Sequence, residues 1–126
     1  VRMKILLVDD HILFREGLIS LLNVQPGFTV VGEAGSVSQA IEQARLLKPD
    51  LILMDIQLPE VSGLEVTRWL KEDPELRHIP VVAITAFAMK GDEEKILQGG
   101  CEAYLSKPIS VAKFLETVNA FLADKG

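Results

Sequence analysis

The 126-residue chain predicts a doubly wound (βα)5 domain, a three-layer sandwich with helices on both faces of a parallel sheet in strand order 2-1-3-4-5. Three observations carry that expectation. Strand-like and helix-like segments alternate five times with short links between them. Most strand candidates are rich in Val, Ile and Leu on both faces, as strands covered by helices on both sides must be. Two of them, Ile5-Leu6-Leu7-Val8 and Leu51-Ile52-Leu53-Met54, end in carboxylates, and the C-terminal edge of an open parallel sheet is where ligands bind.

The strands are expected over residues 4–8, 28–32, 51–54, 80–84 and 102–105, each a short β-prone run. The first helix, 12–23, carries Ile12, Leu18, Leu21 and Leu22 at helical spacing. The second, 37–47, follows Ser36, with Gln39 placed for a capping box. The third, 63–72, follows Ser62, with Glu65 placed the same way. The fourth covers about 89–98 and stops at Gly99-Gly100, a helix-ending pair. The fifth, 111–123, is capped by Ser110 and presents Val111, Phe114, Leu115, Val118, Phe121 and Leu122. Right-handed crossovers then place the topological switch point between the first and third strands, the two that end in Asp9-Asp10 and Asp55.

Composition narrows the function classes. Hydrophobic residues make up 48% of the chain and charged residues 25%, which suits one domain, 1–126, with a buried core. The net charge of -5 and the lack of a basic patch argue against nucleic acid as a direct partner. No apolar stretch approaches the roughly 18 residues of a membrane span, and no signal peptide precedes the first strand, so a cytoplasmic protein is expected. Cys101 is the lone cysteine and reads as a small buried residue, with no disulfide or zinc framework around it.

The chemistry lies at the strand ends. Taken singly, an Asp there is a turn former, a Thr is β-branched filler and a Lys is a solvated charge. Asp9-Asp10, Asp55, Thr85 and Lys107 together, at the ends of four strands on one sheet edge, are far more specific. Carboxylates about 4 Å apart at an effective dielectric of about 20 repel by on the order of 4 kcal/mol per pair. A hard divalent cation removes that cost, and Mg2+ suits oxygen donors where Cys and His ligands for zinc are lacking. Asp55 stands singly on the central strand, so it can act as a nucleophile toward phosphorus while its neighbours hold the metal. Thr85 can donate a hydroxyl to one phosphoryl oxygen and Lys107 a point charge to another. Lys107-Pro108, at a tight turn, is a candidate cis peptide that would aim the lysine into the site. His11 and His78 stand outside any helical-bundle context and read as surface residues.

At these residues the sequence resembles the receiver domain of bacterial two-component response regulators. The matching stretches are Ile5 to Asp10, Asp50 to Pro59, Ala83-Ile84-Thr85-Ala86 and Tyr104-Leu105-Ser106-Lys107-Pro108, and the resemblance covers essentially the whole chain. It implies a flavodoxin-like, CheY-like fold, with Asp55 as phosphoacceptor. It also implies Asp10 as a direct Mg2+ ligand, Asp9 acting mainly through water, and the backbone carbonyl of Gln57 as a further ligand. Thr85 and Lys107 would hold the phosphoryl oxygens, and Lys107-Pro108 would be cis. Thr85 and Tyr104 would form a switch pair read out by the face of the fourth helix, fifth strand and fifth helix. The implied partners are a sensor histidine kinase or phosphotransfer protein and a downstream protein, with the chain a monomer or weak homodimer.

The resemblance is a mosaic. Residues 1 to about 48, with Asp10-His11-Ile12-Leu13-Phe14-Arg15-Glu16-Gly17-Leu18, are similar to NarL/LuxR-type regulators. Residues from about 56 onward, with Trp69-Leu70-Lys71-Glu72-Asp73 and Gly100-Cys101-Glu102-Ala103-Tyr104, are similar to DivK-type single-domain regulators. The pattern suggests an engineered or recombined chimera with a seam at about 48–56; a natural regulator of mixed resemblance is the alternative. The expected function is phosphorylation-driven switching, with self-catalysed Mg2+-dependent phosphotransfer and autodephosphorylation but no turnover. Two other classes remain: a chimeric scaffold that folds without physiological signalling, and a turnover aspartyl-phosphate enzyme, for which 126 residues leave little room for a cap or substrate pocket.

Overall fold

The structure, a computed structural model, describes residues 3–25, 27–56, 62–85, 92–107 and 109–125, with backbone alone for Asp92, Glu93 and residues 121–125. The elements run β1 (Met3–Val8), α1 (Ile12–Asn23), β2 (Phe28–Ala34), α2 (Val37–Leu47), β3 (Leu51–Asp55), α3 (Gly63–Glu72), β4 (Val81–Thr85), α4 (Asp92–Gln98), β5 (Ala103–Ser106) and α5 (Val111–Lys125). All strand pairs are parallel and the order is β2-β1-β3-β4-β5, as the alternation of elements predicts.

Side chains alternate across the pleat, so each strand feeds two cores. On one face Leu6, Val8, Ile52, Met54 and Ala83 pack with Ala40 and Ala44 of α2, Val66 and Leu70 of α3, and Ile96 of α4. On the other, Ile5, Leu7, Leu53, Val82 and Ile84 pack with Leu18 and Leu22 of α1 and Phe114 and Val118 of α5. Strands β3 and β4 are buried along their whole length, which is why they read as unbroken apolar runs. Cys101 is buried in the first core, and that burial pushes its thiol pKa up, as suits a small apolar residue. Among the described residues no helix is long and apolar enough to cross a membrane.

Several boundaries have visible causes. Ser36 Oγ accepts from Gln39 N at 3.4 Å, while the Gln39 side chain turns back to accept from Gly35 N at 2.9 Å. Ser62 Oγ accepts from Leu64 N at 3.1 Å rather than from Glu65, so this cap acts one residue earlier than a capping box would. Ser110 Oγ accepts from Lys113 N at 3.3 Å at the start of α5. Gly100, at φ 104°, lets the chain leave α4 with Cys101 N donating back to Ile96 O. Strand β2 runs two residues beyond the sequence expectation: a register shift between Ile5 and Leu6 skips Val31, and pairing resumes at Gly32 and continues through Glu33 and Ala34 opposite Leu7 and Val8.

Helix α1 differs from its reading. Leu18 and Leu22 are buried as expected, but Ile12 and Leu21 face solvent, and Phe14 and Ile19 are the partly buried residues instead. The start of the fourth helix at residues 89–91 and the Phe121 and Leu122 side chains lie outside the described residues.

Candidate functional site

Strand register brings the predicted residues to one edge. Val8 pairs with Met54, so Asp9 and Asp55 are the next residues of adjacent strands. Asp55 pairs with Ile84, and Thr85 pairs with Ser106, so Thr85 and Lys107 follow in step along the same edge. Backbone bonds hold the alignment, with Asp9 N donating to Ala34 O, Ile56 N to Ile84 O and Lys107 N to Thr85 O.

Asp9 and Asp55 are fully buried, while Asp10 is half-buried. The Lys107 ammonium lies 3.3 Å from Asp9 Oδ2 and 3.5 Å from Asp55 Oδ2, bridging the two strand-end carboxylates. One cation among three carboxylates leaves the cluster short of positive charge. Among the described residues, neither Asp9 Oδ2 nor Asp10 Oδ1 takes part in a hydrogen bond, although both are shielded from solvent. The Lys107 contact to Asp9 Oδ2 therefore supplies charge without hydrogen-bond geometry. Orphaned carboxylate oxygens in a cluster of this kind fit a hard divalent cation, which takes oxygen ligands. Of the expected ligands, the Gln57 carbonyl lies outside the described residues, as does Pro108 and hence the Lys107-Pro108 peptide.

Thr85 is buried at the end of β4, with its carbonyl accepting from Lys107 N at 2.8 Å. Tyr104 lies two residues before Ser106 on β5, half-buried against the core that contains Val8, Met54 and Ala83. The register pairs Tyr104 with Ala83, two residues before Thr85 on the neighbouring strand.

Three residues of α1 and its approach add to the site. His11 is exposed, as its surface reading has it, yet its Nδ1 lies 3.2 Å from Asp9 Oδ1, 3.3 Å from Asp10 Oδ1 and 3.8 Å from Asp55 Oδ2. The premise that no His ligand is available therefore fails at this residue. Its backbone N–H donates to Asp9 Oδ1 at 2.8 Å, which turns Oδ2 toward Lys107. Phe14 places its ring 4.3 Å from Lys107 Nζ, a cation–π contact that favours the inward lysine. Arg15 Nη1 donates to the Asp9 carbonyl at 2.7 Å, and its Nε donates to Glu33 at 3.1 Å. The Asp-Asp-His run was the available sequence signal for His11. For Phe14 and Arg15 no local signal exists, because each acts through the fold of α1 over the sheet edge.

Gly63 opens α3 beside the end of β3, and its N–H donates to Ile56 O at 3.0 Å. A Cβ there would collide with the Asp55 carbonyl and lie 2.7 Å from Ile56 Cα. Only glycine allows the helix to start this close to the strand that carries Asp55. His78 is exposed in the turn before β4, away from these residues.

Comparison with known proteins agrees with this geometry. The profile of the response regulator receiver domain matches residues 5–119. The polar-differentiation response regulator DivK of Brucella ovis is 58% identical over 121 residues, spanning 96% of this chain and 97% of that protein. Its counterpart in Brucella anthropi is 73% identical over 86 residues, 68% of this chain and 70% of that protein. Among solved structures, a LuxR-family two-component response regulator from Aurantimonas sp. SI85-9A1 superposes with a TM-score of 0.89 at 30% identity, covering 98% of this chain and 87% of that one. The receiver domain of the sensor histidine kinase PA1611 from Pseudomonas aeruginosa PAO1, with magnesium coordinated in its active-site cleft, superposes with a TM-score of 0.85 at 31% identity, covering 98% and 99%.

Proposed function

The chain belongs to the response regulator receiver domain family, and from that premise we propose that Asp55 is its phosphoacceptor, charged from a phosphohistidine of a sensor kinase or phosphotransfer protein. It is a receiver of two-component signalling rather than a turnover enzyme, and a bare scaffold without signalling is not favoured. The observation that carries the Asp55 assignment is the Lys107 ammonium held between Asp9 and Asp55 on the edge where three strand-end acids converge.

In this reading an Asp55 carboxylate oxygen forms a bond to phosphorus as the nitrogen–phosphorus bond of the donor breaks, and the imidazole leaves with the electron pair. Asp9 and Asp10, with Asp55 itself and the Gln57 carbonyl, would hold Mg2+. When bound, that ion supplies charge to neutralise the phosphoryl oxygens. Lys107 needs little motion to follow the charge from the Asp55 carboxylate to the phosphoryl group, and Phe14 keeps it at hand. Thr85 donates its hydroxyl to a second oxygen. Hydrolysis of the acyl phosphate by water then returns Asp55 to its carboxylate, the only reset the chain performs on itself.

The switch pair is Thr85 and Tyr104, with Tyr104 turning inward as Thr85 moves toward the phosphoryl group. Beside Tyr104, β5 and α5 line an open groove of about 780 Å³ with Ser106, Lys113, Glu116 and Thr117, on the face assigned to a downstream protein. The net charge of -5 favours a protein partner over direct contact with nucleic acid, in a cytoplasmic monomer or weak homodimer.

A second reading concerns origin. The 121-residue match to DivK is 58% identical and the 86-residue match 73%, so identity to these relatives is unevenly spread. A mosaic origin for the single receiver domain, 1–126, with its seam at about 48–56, is read from the sequence motifs on either side of those residues.

Intact mass after incubation with acetyl phosphate tests the phosphoacceptor. We expect one added phosphoryl group that requires Mg2+ and is lost in Asp55→Ala. A folded wild-type protein that gains nothing, or an Asp55→Ala variant that still gains it, would refute the assignment.

A further inference from the structure

We infer that His11 is a nitrogen ligand of the metal site, and that the site consequently takes imidazole-seeking divalent ions of the cobalt–nickel–zinc class in competition with Mg2+. The inference rests on the proposed metal site and deepens it.

The geometry comes first. Ligand atoms from Asp9, Asp10, His11 and Asp55 all lie within 4.8 Å of one another. His11 Nδ1 stands 3.2, 3.3 and 3.8 Å from an oxygen of Asp9, Asp10 and Asp55 respectively. A tetrahedral ion with bonds near 2.0–2.1 Å holds its ligands about 3.3 Å apart. An octahedral ion with similar bonds holds adjacent ligands about 3.0 Å apart. His11 thus sits at ligand spacing from all three acids, and short movements close the gaps. A second observation also points to a cation: Asp9, wholly buried, holds in the same cluster an Oδ2 that makes no hydrogen bond and has the Lys107 ammonium, 3.3 Å away, shared with Asp55, as its counter-charge.

Chemistry then sets the preference. Carboxylates suit Mg2+, whereas an imidazole nitrogen adds affinity for cobalt, nickel and zinc far more than for magnesium. The His11 ring is held at the cluster by Nδ1, which hydrogen-bonds Asp9 Oδ1 at 3.2 Å, a contact that a metal ion would replace. His11 is the residue that caps α1, yet its ring makes no cap hydrogen bond. With metal on Nδ1, the neutral ring carries its proton on Nε2, and the ring is exposed enough for that N–H to donate a hydrogen bond to water.

The test is calorimetric titration of the whole chain with Co2+ and Mg2+, in wild type and His11→Ala, at one neutral pH. Loss of an outer-shell partner typically costs about 10–100-fold in metal affinity, so loss of a direct ligand should lower the Co2+-to-Mg2+ affinity ratio about tenfold or more. An unchanged ratio overturns the inference and leaves the phosphoacceptor reading intact. Failure of wild type to bind Mg2+ counts against that reading, while Co2+ binding that depends on His11 would still uphold the ligand. Wild-type protein also supplies an arm that needs no variant at the site. Co2+ should produce strongly shifted proton NMR signals from a coordinated imidazole, and these should persist in His78→Ala. Their absence, or their loss with His78, would show Co2+ held elsewhere and reject His11.

Discussion

At the scale of single residues, the site sets function against stability. Asp10 is the most exposed of the three acids, and its Oδ1 takes part in no hydrogen bond among the described residues. In the metal-free protein it contributes mainly repulsion toward Asp9 and Asp55. Solvent screens that repulsion, so its removal is worth less than a fully buried pair would suggest, about 1 kcal/mol. We expect Asp10→Asn to raise the urea midpoint in the presence of a chelator. Mg2+ should then reverse the order, because an ion present at 100 times its dissociation constant stabilises the protein that binds it by about 2.7 kcal/mol. Urea unfolding of both proteins with and without Mg2+ reads out that crossing. A lower midpoint for Asp10→Asn in chelator would show instead that the carboxylate earns its place by local bonding. Lys107 behaves in the opposite sense, since it is the cation that makes two buried carboxylates tolerable.

At the scale of elements, the approach of α3 to β3 is the tightest constraint on the site. Gly63→Ala would drive a methyl group into the Asp55 carbonyl and Ile56, both backbone. Backbone cannot rotate away as a side chain can, so we expect a loss of about 1–3 kcal/mol, measured by denaturant unfolding, together with slower phosphorylation of a displaced Asp55. A neutral result would mean that α3 slides without moving the strand end. That constraint was hidden in the sequence, where Gly63 reads only as the residue after a cap. The elements themselves were legible where their signals are local. Leu51–Asp55 is a short apolar run closed by an acid, and Val37–Leu47 follows a serine that does cap it. The acids and Lys107 were legible for the same reason, because each marks the end of a strand. Less was legible wherever the cause is tertiary. The end of α2 at Leu47 was read correctly, but the left-handed φ of 48° at Lys48 that makes it has no glycine or asparagine to announce it. Helical spacing placed Ile12 and Leu21 in the core, but the docking angle of α1 leaves both outside. That same docking brings Phe14 and Arg15 to the site, and nothing local in the sequence encodes it.

At the scale of the whole molecule, the proposed seam runs through the middle of the sheet. Strand β1 lies between β2 and β3, so residues before the seam supply two adjacent strands and the remainder supplies three. Neither set can cover its own faces. Phe28 packs edge-on to Phe114 with ring centroids 5.6 Å apart, and Leu18 and Leu22 share that core with Val118. If the two parts evolved apart, such contacts need only satisfy volume and pattern, which preserves the fold more readily than its fit. The molecule should therefore unfold in one transition, with the aromatic pair coupled across the seam. Truncating Phe114 to Ala should cost about 3–5 kcal/mol, because its ring is wholly buried. A double-mutant cycle with Phe28→Ala should return a coupling of about 0.5–1.5 kcal/mol, the usual worth of an edge-to-face pair beyond its burial. Two resolved transitions in urea, or a coupling near zero, would mean that the parts on either side of residues 48–56 hold together independently. The receiver would then transmit phosphorylation less tightly from its acids to its β5–α5 face, since a switch carried through a packed core requires that core to act as one.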